Sequence, residues 1–74
     1  MWLLNATRDE IVKVIDFEGG ARLQSKLAQY GLYPGDLARV IRVGAIGGPV
    51  LIEVSGREIA LGRGIAARIR VEPA

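Results

Sequence analysis

The chain has 74 residues, no cysteine and no histidine, and ten Lys/Arg against eight Asp/Glu for a formal charge of +2. That length allows one domain with a modest core, and the missing thiols and imidazoles exclude a disulfide framework, a zinc site of the usual donors and a nucleophilic triad. Half of the residues are hydrophobic, so the core alone must stabilise the fold, and the scattered mixed charge serves solubility rather than marking a dedicated nucleic-acid binder.

The opening Met1-Trp2-Leu3-Leu4 is too short for a signal-peptide core and has no basic segment before it. No apolar run approaches the ~20 residues that span a bilayer. These features and the cysteine-free composition point to a cytoplasmic protein, with Trp2 and Leu4 packed on the domain. Asn5-Ala6-Thr7 matches the glycosylation sequon, and without a secretion signal it is read as a chance match.

Asp9 to Phe17 is the first predicted strand, rich in β-branched residues, and Gly19-Gly20 ends it. Ala21 to Tyr30 is the one clear helix: Leu23, Leu27 and Tyr30 recur at i, i+4 and i+7 and form one face. Gly31 stands where a left-handed residue closes a helix, and Leu32 follows as its hydrophobic contact. Tyr33-Pro34-Gly35-Asp36 is a type II turn signal. Leu37 to Val43 is a second strand, apolar on both faces, and Gly44 to Pro49 is a glycine-rich loop. Val50 to Val54 and Glu58 to Leu61 pair through the Ser55-Gly56-Arg57 hairpin. Ile65 to Ala67 is a short helical turn, and Arg68 to Glu72 is the fifth strand, with Arg68 and Arg70 on one face. Five short strands with tight turns predict a small closed or nearly closed barrel, with the helix face of Leu23, Leu27 and Tyr30 across one open end. Residues 1–74 read as one domain without linker or repeat.

No catalytic constellation emerges, and the chain is read as a non-enzyme without cofactor. The acids are dispersed; Asp9-Glu10 and Asp16/Glu18 are the close pairs, and neither has the spacing of a calcium loop. Gly62 to Ala67 loosely matches a dinucleotide fingerprint but lacks the strand-to-long-helix setting. No metal ligand set is expected. A basic strip of Arg68 and Arg70 would suit RNA or anionic lipid, yet Trp2, Phe17, Tyr30 and Tyr33 are the only aromatics for base stacking. A solvated polar face is the preferred reading.

Lys26-Leu27-Ala28-Gln29-Tyr30-Gly31-Leu32-Tyr33-Pro34-Gly35 resembles the hallmark R/K-L-x-x-L/Y-G-L/I-x-P-G of the FeoA family, with Tyr30 where Leu is commoner. Gly47-Gly48-Pro49-Val50 is similar to the family's glycine-proline loop. Gly56 to Gly62, followed by Ala66 and Ile69-Arg70-Val71, is similar to its closing hairpin and last strand. The resemblance covers nearly the whole chain. It implies a mostly β, five-stranded SH3-like barrel with one main helix between strands one and two. It also implies a cytoplasmic accessory of ferrous-iron uptake and iron homeostasis, acting on the membrane transporter FeoB, which carries a GTPase domain. The membrane is then reached only indirectly, and no nucleic acid is involved. Similar domains end metal-dependent repressors of the DtxR type, where they make protein contacts, so a stand-alone interaction domain of that kind is one alternative, beside a small barrel that binds nucleic acid or an anionic membrane surface through the Arg68/Arg70 face.

Barrels of this size bind peptides in shallow apolar grooves. The helix and the Tyr33-Pro34 turn would form one wall of such a groove and the Gly44 to Pro49 loop another. The candidate partner-binding residues are Leu23, Lys26, Leu27, Tyr30, Leu32, Tyr33, Pro34 and Pro49. For Leu23 and Leu27 a plain core role is the preferred reading.

Overall fold

The computed structural model describes residues 1–44 and 46–74; within the glycine-rich loop, Ala45 lies outside the described residues. The elements follow the order β1 (Ile11–Phe17), α1 (Gly20–Gln29), β2 (Leu37–Val43), β3 (Val50–Val54), β4 (Arg57–Leu61), α2 (Arg63–Ala66) and β5 (Ile69–Pro73), with a 3-10 turn at Leu3–Asn5 before them. The strands form one antiparallel sheet in the order β4-β3-β2-β1-β5.

Alternation within each strand supplies the core. Val12 and Val14, Ala38 and Val40, Val50, Ile52 and Val54, Ile59 and Leu61, and Ile69 and Val71 are all buried. Successive strand side chains point to opposite faces, so one face of the single sheet is apolar along all five strands. With no second sheet among the described residues to cover it, the sheet curls around its own apolar face, giving extents of 29 × 24 × 22 Å. Leu23 and Leu27 of α1, together with Leu3, Leu32 and Ala66, complete the same cluster. No polar side chain is buried among the described residues, so the core carries no desolvation penalty to offset.

The outer edge of β5 is not left open. The Met1 amino group donates to the Val71 carbonyl at 2.9 Å, and the Val71 N–H donates back to the Met1 carbonyl at 2.7 Å. Trp2 bridges to Arg70, whose guanidinium lies 4.9 Å from the indole centroid. The N-terminal residues thus cover an edge that would otherwise offer unpaired backbone to another chain.

α1 ends in a Schellman motif. The Gly31 N–H donates to the Ala28 carbonyl at 2.9 Å and the Leu32 N–H to the Leu27 carbonyl at 3.0 Å. This 5→2 and 6→1 pairing needs a left-handed residue between the bonds, and Gly31 has φ +82°. A β-carbon there would also collide with the Arg57 guanidinium at the tip of the β3–β4 hairpin. The turn that follows is closed by the Asp36 N–H donating to the Tyr33 carbonyl at 3.1 Å, and the Tyr33 N–H donates to the Asp36 carboxylate at 2.9 Å. Chain reversal from helix to strand is therefore rigid.

Several boundaries differ from the sequence reading. β1 starts at Ile11 because Asp9 has φ +69° and cannot extend the strand. α1 begins one residue early, at Gly20. β2 is buried on one side only: Leu37 is 58% exposed on the other, and a register shift between Val40 and Arg42 re-aims the end of the strand. Tyr30, placed with Leu23 and Leu27 on the covering face, is 42% exposed at the helix end. α2 begins at Arg63, and β5 spans Ile69–Pro73, leaving Arg68 in the preceding turn.

Candidate functional site

The two ends of α1 differ in chemistry. At about 1.5 Å per residue, this ten-residue helix holds them roughly 15 Å apart. The N-terminal end meets the turn after α2, where the Glu18 N–H donates to the Arg68 carbonyl at 2.7 Å. The C-terminal end meets the β3–β4 hairpin, where Arg57 lies against Gly31.

The C-terminal shoulder carries Tyr30, Tyr33 and Pro34, all exposed. Tyr33 is 51% exposed, yet its backbone N–H is held by Asp36 and its hydroxyl makes a long hydrogen bond of 3.4 Å to the Ala28 carbonyl. A half-exposed ring fixed in this way presents area without losing much rotamer freedom on contact.

The N-terminal shoulder holds an open cleft of about 220 Å³ lined by Gly19, Arg22, Leu23, Lys26, Ile65 and Arg68. Leu23 and Ile65 supply an apolar floor, and the three cations supply the rim. Among the described residues, no ion pair or side-chain hydrogen bond involves Arg22, Lys26 or Arg68. By contrast, Arg39 bonds Glu53 at 3.3 Å and Arg70 bonds Asp16 at 3.0 Å.

Only part of the predicted groove is brought together. Lys26, Tyr30, Tyr33 and Pro34 are exposed along the helix and its turn. Leu27 and Leu32 have no exposed surface, and Leu23 is 8% exposed at the bottom of the cleft. Leu27 and Leu32 are therefore corrected from contact residues to supports beneath the shoulder. Pro49 is exposed but belongs elsewhere. It precedes β3 and bonds back to Gly44 (Gly44 N–H to Pro49 carbonyl, 3.2 Å), whereas the Tyr33 turn joins the start of β2. A seven-residue strand of about 20 Å separates the two loops, so they cannot wall one groove. The glycine loop instead approaches α2, where Arg63 donates to the Gly44 carbonyl at 3.2 Å. Gly44 lies so close to the Gly48 backbone that a β-carbon would overlap it. The basic strip is also corrected: Arg68 lies outside β5 and faces the cleft, while Arg70 is engaged by Asp16 and Trp2.

The cleft itself escaped sequence reasoning. Arg22 and Lys26 are four apart on a helix without an acidic residue, which was a legible signal. Ile65 and Arg68 join them only through the tertiary fold. Among the described residues, no three Asp or Glu side chains cluster as a metal site, and no helix is long and apolar enough to cross a membrane.

Comparison with known proteins bears on both fold and family. The FeoA domain model matches residues 1–73. A relative from Methanocaldococcus jannaschii, named Fe(2+) transport protein A, is 44% identical over 64 residues, covering 86% of this chain and 73% of its own length. The crystal structure of an iron uptake regulatory protein, FeoA, superposes with a TM-score of 0.85 at 30% identity, over 97% of this chain and 93% of that one. The manganese regulator SloR contains a similar fold, with a TM-score of 0.87 at 22% identity over 100% of this chain but 34% of its own. That last likeness concerns the fold alone: a mostly β, SH3-like domain of five antiparallel strands and one main helix. A match that runs from the first strand through the helix-stop motif to the last strand leaves one assignment, and the chain belongs to the FeoA family, an accessory family of Fe²⁺ transport.

Proposed function

We propose that this chain is a non-catalytic accessory of ferrous-iron uptake that docks on a cytoplasmic part of an FeoB-type transporter through the C-terminal shoulder of α1. The observation that carries this reading is the pair of exposed tyrosines, Tyr30 and Tyr33, mounted on a turn fixed by the Schellman bonds and the Asp36 carboxylate. Tyrosine is favoured at interfaces because it buries large area with few rotors and keeps a polar tip. Pro34 stiffens the turn, while Lys26, one helical turn before Tyr30, faces the cleft at the other end of the helix. Leu27 and Leu32 support the shoulder from the core rather than touching the partner, and Leu23 lies at the bottom of the cleft at the other end of the helix.

Calorimetric binding to the transporter's cytoplasmic domain tests the proposal. Tyr33→Ala is expected to weaken binding by about 1–2 kcal/mol, the range of a moderate anchor. Exchange of both Arg68 and Arg70 for Glu is expected to matter far less, with little dependence on moderate salt. Normal binding by Tyr33→Ala together with failure of the double Glu variant would place the docking surface on the basic side of the molecule.

A further inference from the structure

We infer that the cleft at the N-terminal shoulder of α1 is a second recognition site, which takes an acidic peptide segment bearing an apolar side chain. It lies on a surface separate from Tyr30 and Tyr33 and does not depend on that docking reading. Arg22, Lys26 and Arg68 border the cleft, Leu23 and Ile65 floor it, and no carboxylate lines it. Its volume of about 220 Å³ suits one or two side chains rather than a whole small-molecule ligand, since such pockets run to roughly 300–1,000 Å³.

Stability does not explain this arrangement. Arg22 sits in the first turn of α1, where the macrodipole disfavours a cation, and that turn holds no acid to offset it. Lys26 then follows at i+4, the spacing at which like charges repel along a helix. Arg68 is brought to the same rim from the turn after α2. Three cations held at one cleft without a counter-charge complement a carboxylate-rich partner, with each guanidinium suited to bidentate carboxylate pairing. The leucine and isoleucine floor favours a peptide with an apolar side chain over bare phosphate. The cleft also lacks the aromatic platform that single-stranded nucleic acid uses.

Amide NMR on the full chain tests the site, using a synthetic peptide of alternating Glu and Leu. The control probes are the same peptide with Ser for Leu, a Lys-Leu peptide, inorganic phosphate and phosphatidylglycerol vesicles. The Glu-Leu peptide is expected to shift Gly19 to Lys26 and Ile65 to Arg68, with the Ser version weaker and the Lys-Leu peptide silent. Binding is expected to fall steeply with salt. Arg22→Glu is expected to weaken binding by about tenfold or more while raising the melting temperature, because it places an acid at the helix start and four residues before a lysine. Lys26→Gln provides a second loss of binding with a neutral exchange. Absence of shifts at millimolar peptide would overturn the inference, as would equal binding by Arg22→Glu. So would a stronger response to phosphate or vesicles than to the Glu-Leu peptide.

Discussion

The two shoulders of α1 share one helix and one core but are built on different physics. At the C-terminal shoulder the backbone is over-determined. Two Schellman bonds, a closed turn and the Asp36 carboxylate fix the positions of Tyr30 and Tyr33. At the N-terminal shoulder the helix start has no side-chain cap, and the rim consists of long cationic side chains over an aliphatic floor. The first surface suits contact by shape, and the second suits contact by charge. The contrast teaches that a ten-residue helix on a small barrel can present two chemically different surfaces, one expected to be insensitive to salt and the other to weaken with it.

The largest expected effect removes the structural basis of the first shoulder. Gly31→Val forces a β-branched residue to φ +82° beneath Arg57, at a cost of about 1–3 kcal/mol. For a domain of this size, each kcal/mol lowers the melting temperature by roughly 4–8 °C, so thermal denaturation reads it directly. An unchanged melting temperature would break the assignment of a rigid shoulder. Next comes Tyr33→Ala, with about 1–2 kcal/mol lost from transporter binding and little from stability, since its ring is half exposed. A large stability loss would make Tyr33 a core residue and erase the distinction between surface and support.

Arg22→Glu sharpens the comparison with the opposite sign. Relief of the dipole conflict and a new Glu-to-Lys pair should stabilise the fold by about 0.5–1 kcal/mol, read as a higher urea midpoint. A smaller effect serves as a control away from both shoulders. Ile46 is fully exposed with φ +51°, a conformation that β-branched residues resist and Asn tolerates. Ile46→Asn should raise stability by roughly 0.5 kcal/mol and leave both binding surfaces unchanged. The smallest expected effect is none: without His or Cys, a chelator should leave the melting temperature where it was, because transition metals favour imidazole and thiolate donors.

Local chemistry made much of the fold legible. The bounds of β2 and β3, the Gly31 stop and the Tyr33 turn follow from rules that act within a few residues. The side taken by Val43 was misread because a bulge between Val40 and Arg42 breaks strict alternation and brings it against the core, and bulges leave no local signature in Leu-Ala-Arg-Val-Ile-Arg-Val. Leu3 is more deeply buried than Trp2 or Leu4, a consequence of the 3-10 turn that rotates the N-terminal residues as they cover β5. Tyr33 was identifiable because it stands in a turn, whereas Tyr30 was grouped with the covering face of the helix and is exposed at its end. The cleft was not, since Arg68 and Ile65 reach Arg22 and Lys26 only after α2 folds beside α1. Burial was the other hidden quantity: period alone groups Leu27 with Tyr30, and only the packed barrel separates support from surface.

The central claim is that the C-terminal shoulder, not the cationic cleft, is where the transporter docks. Amide NMR of the labelled chain, titrated with the transporter's cytoplasmic domain at moderate salt, tests it most directly. Shifts and broadening centred on Tyr30 to Asp36, unaffected by saturating Glu-Leu peptide, are the predicted result. Perturbations centred on Arg22, Lys26 and Arg68 and abolished by that peptide would contradict it.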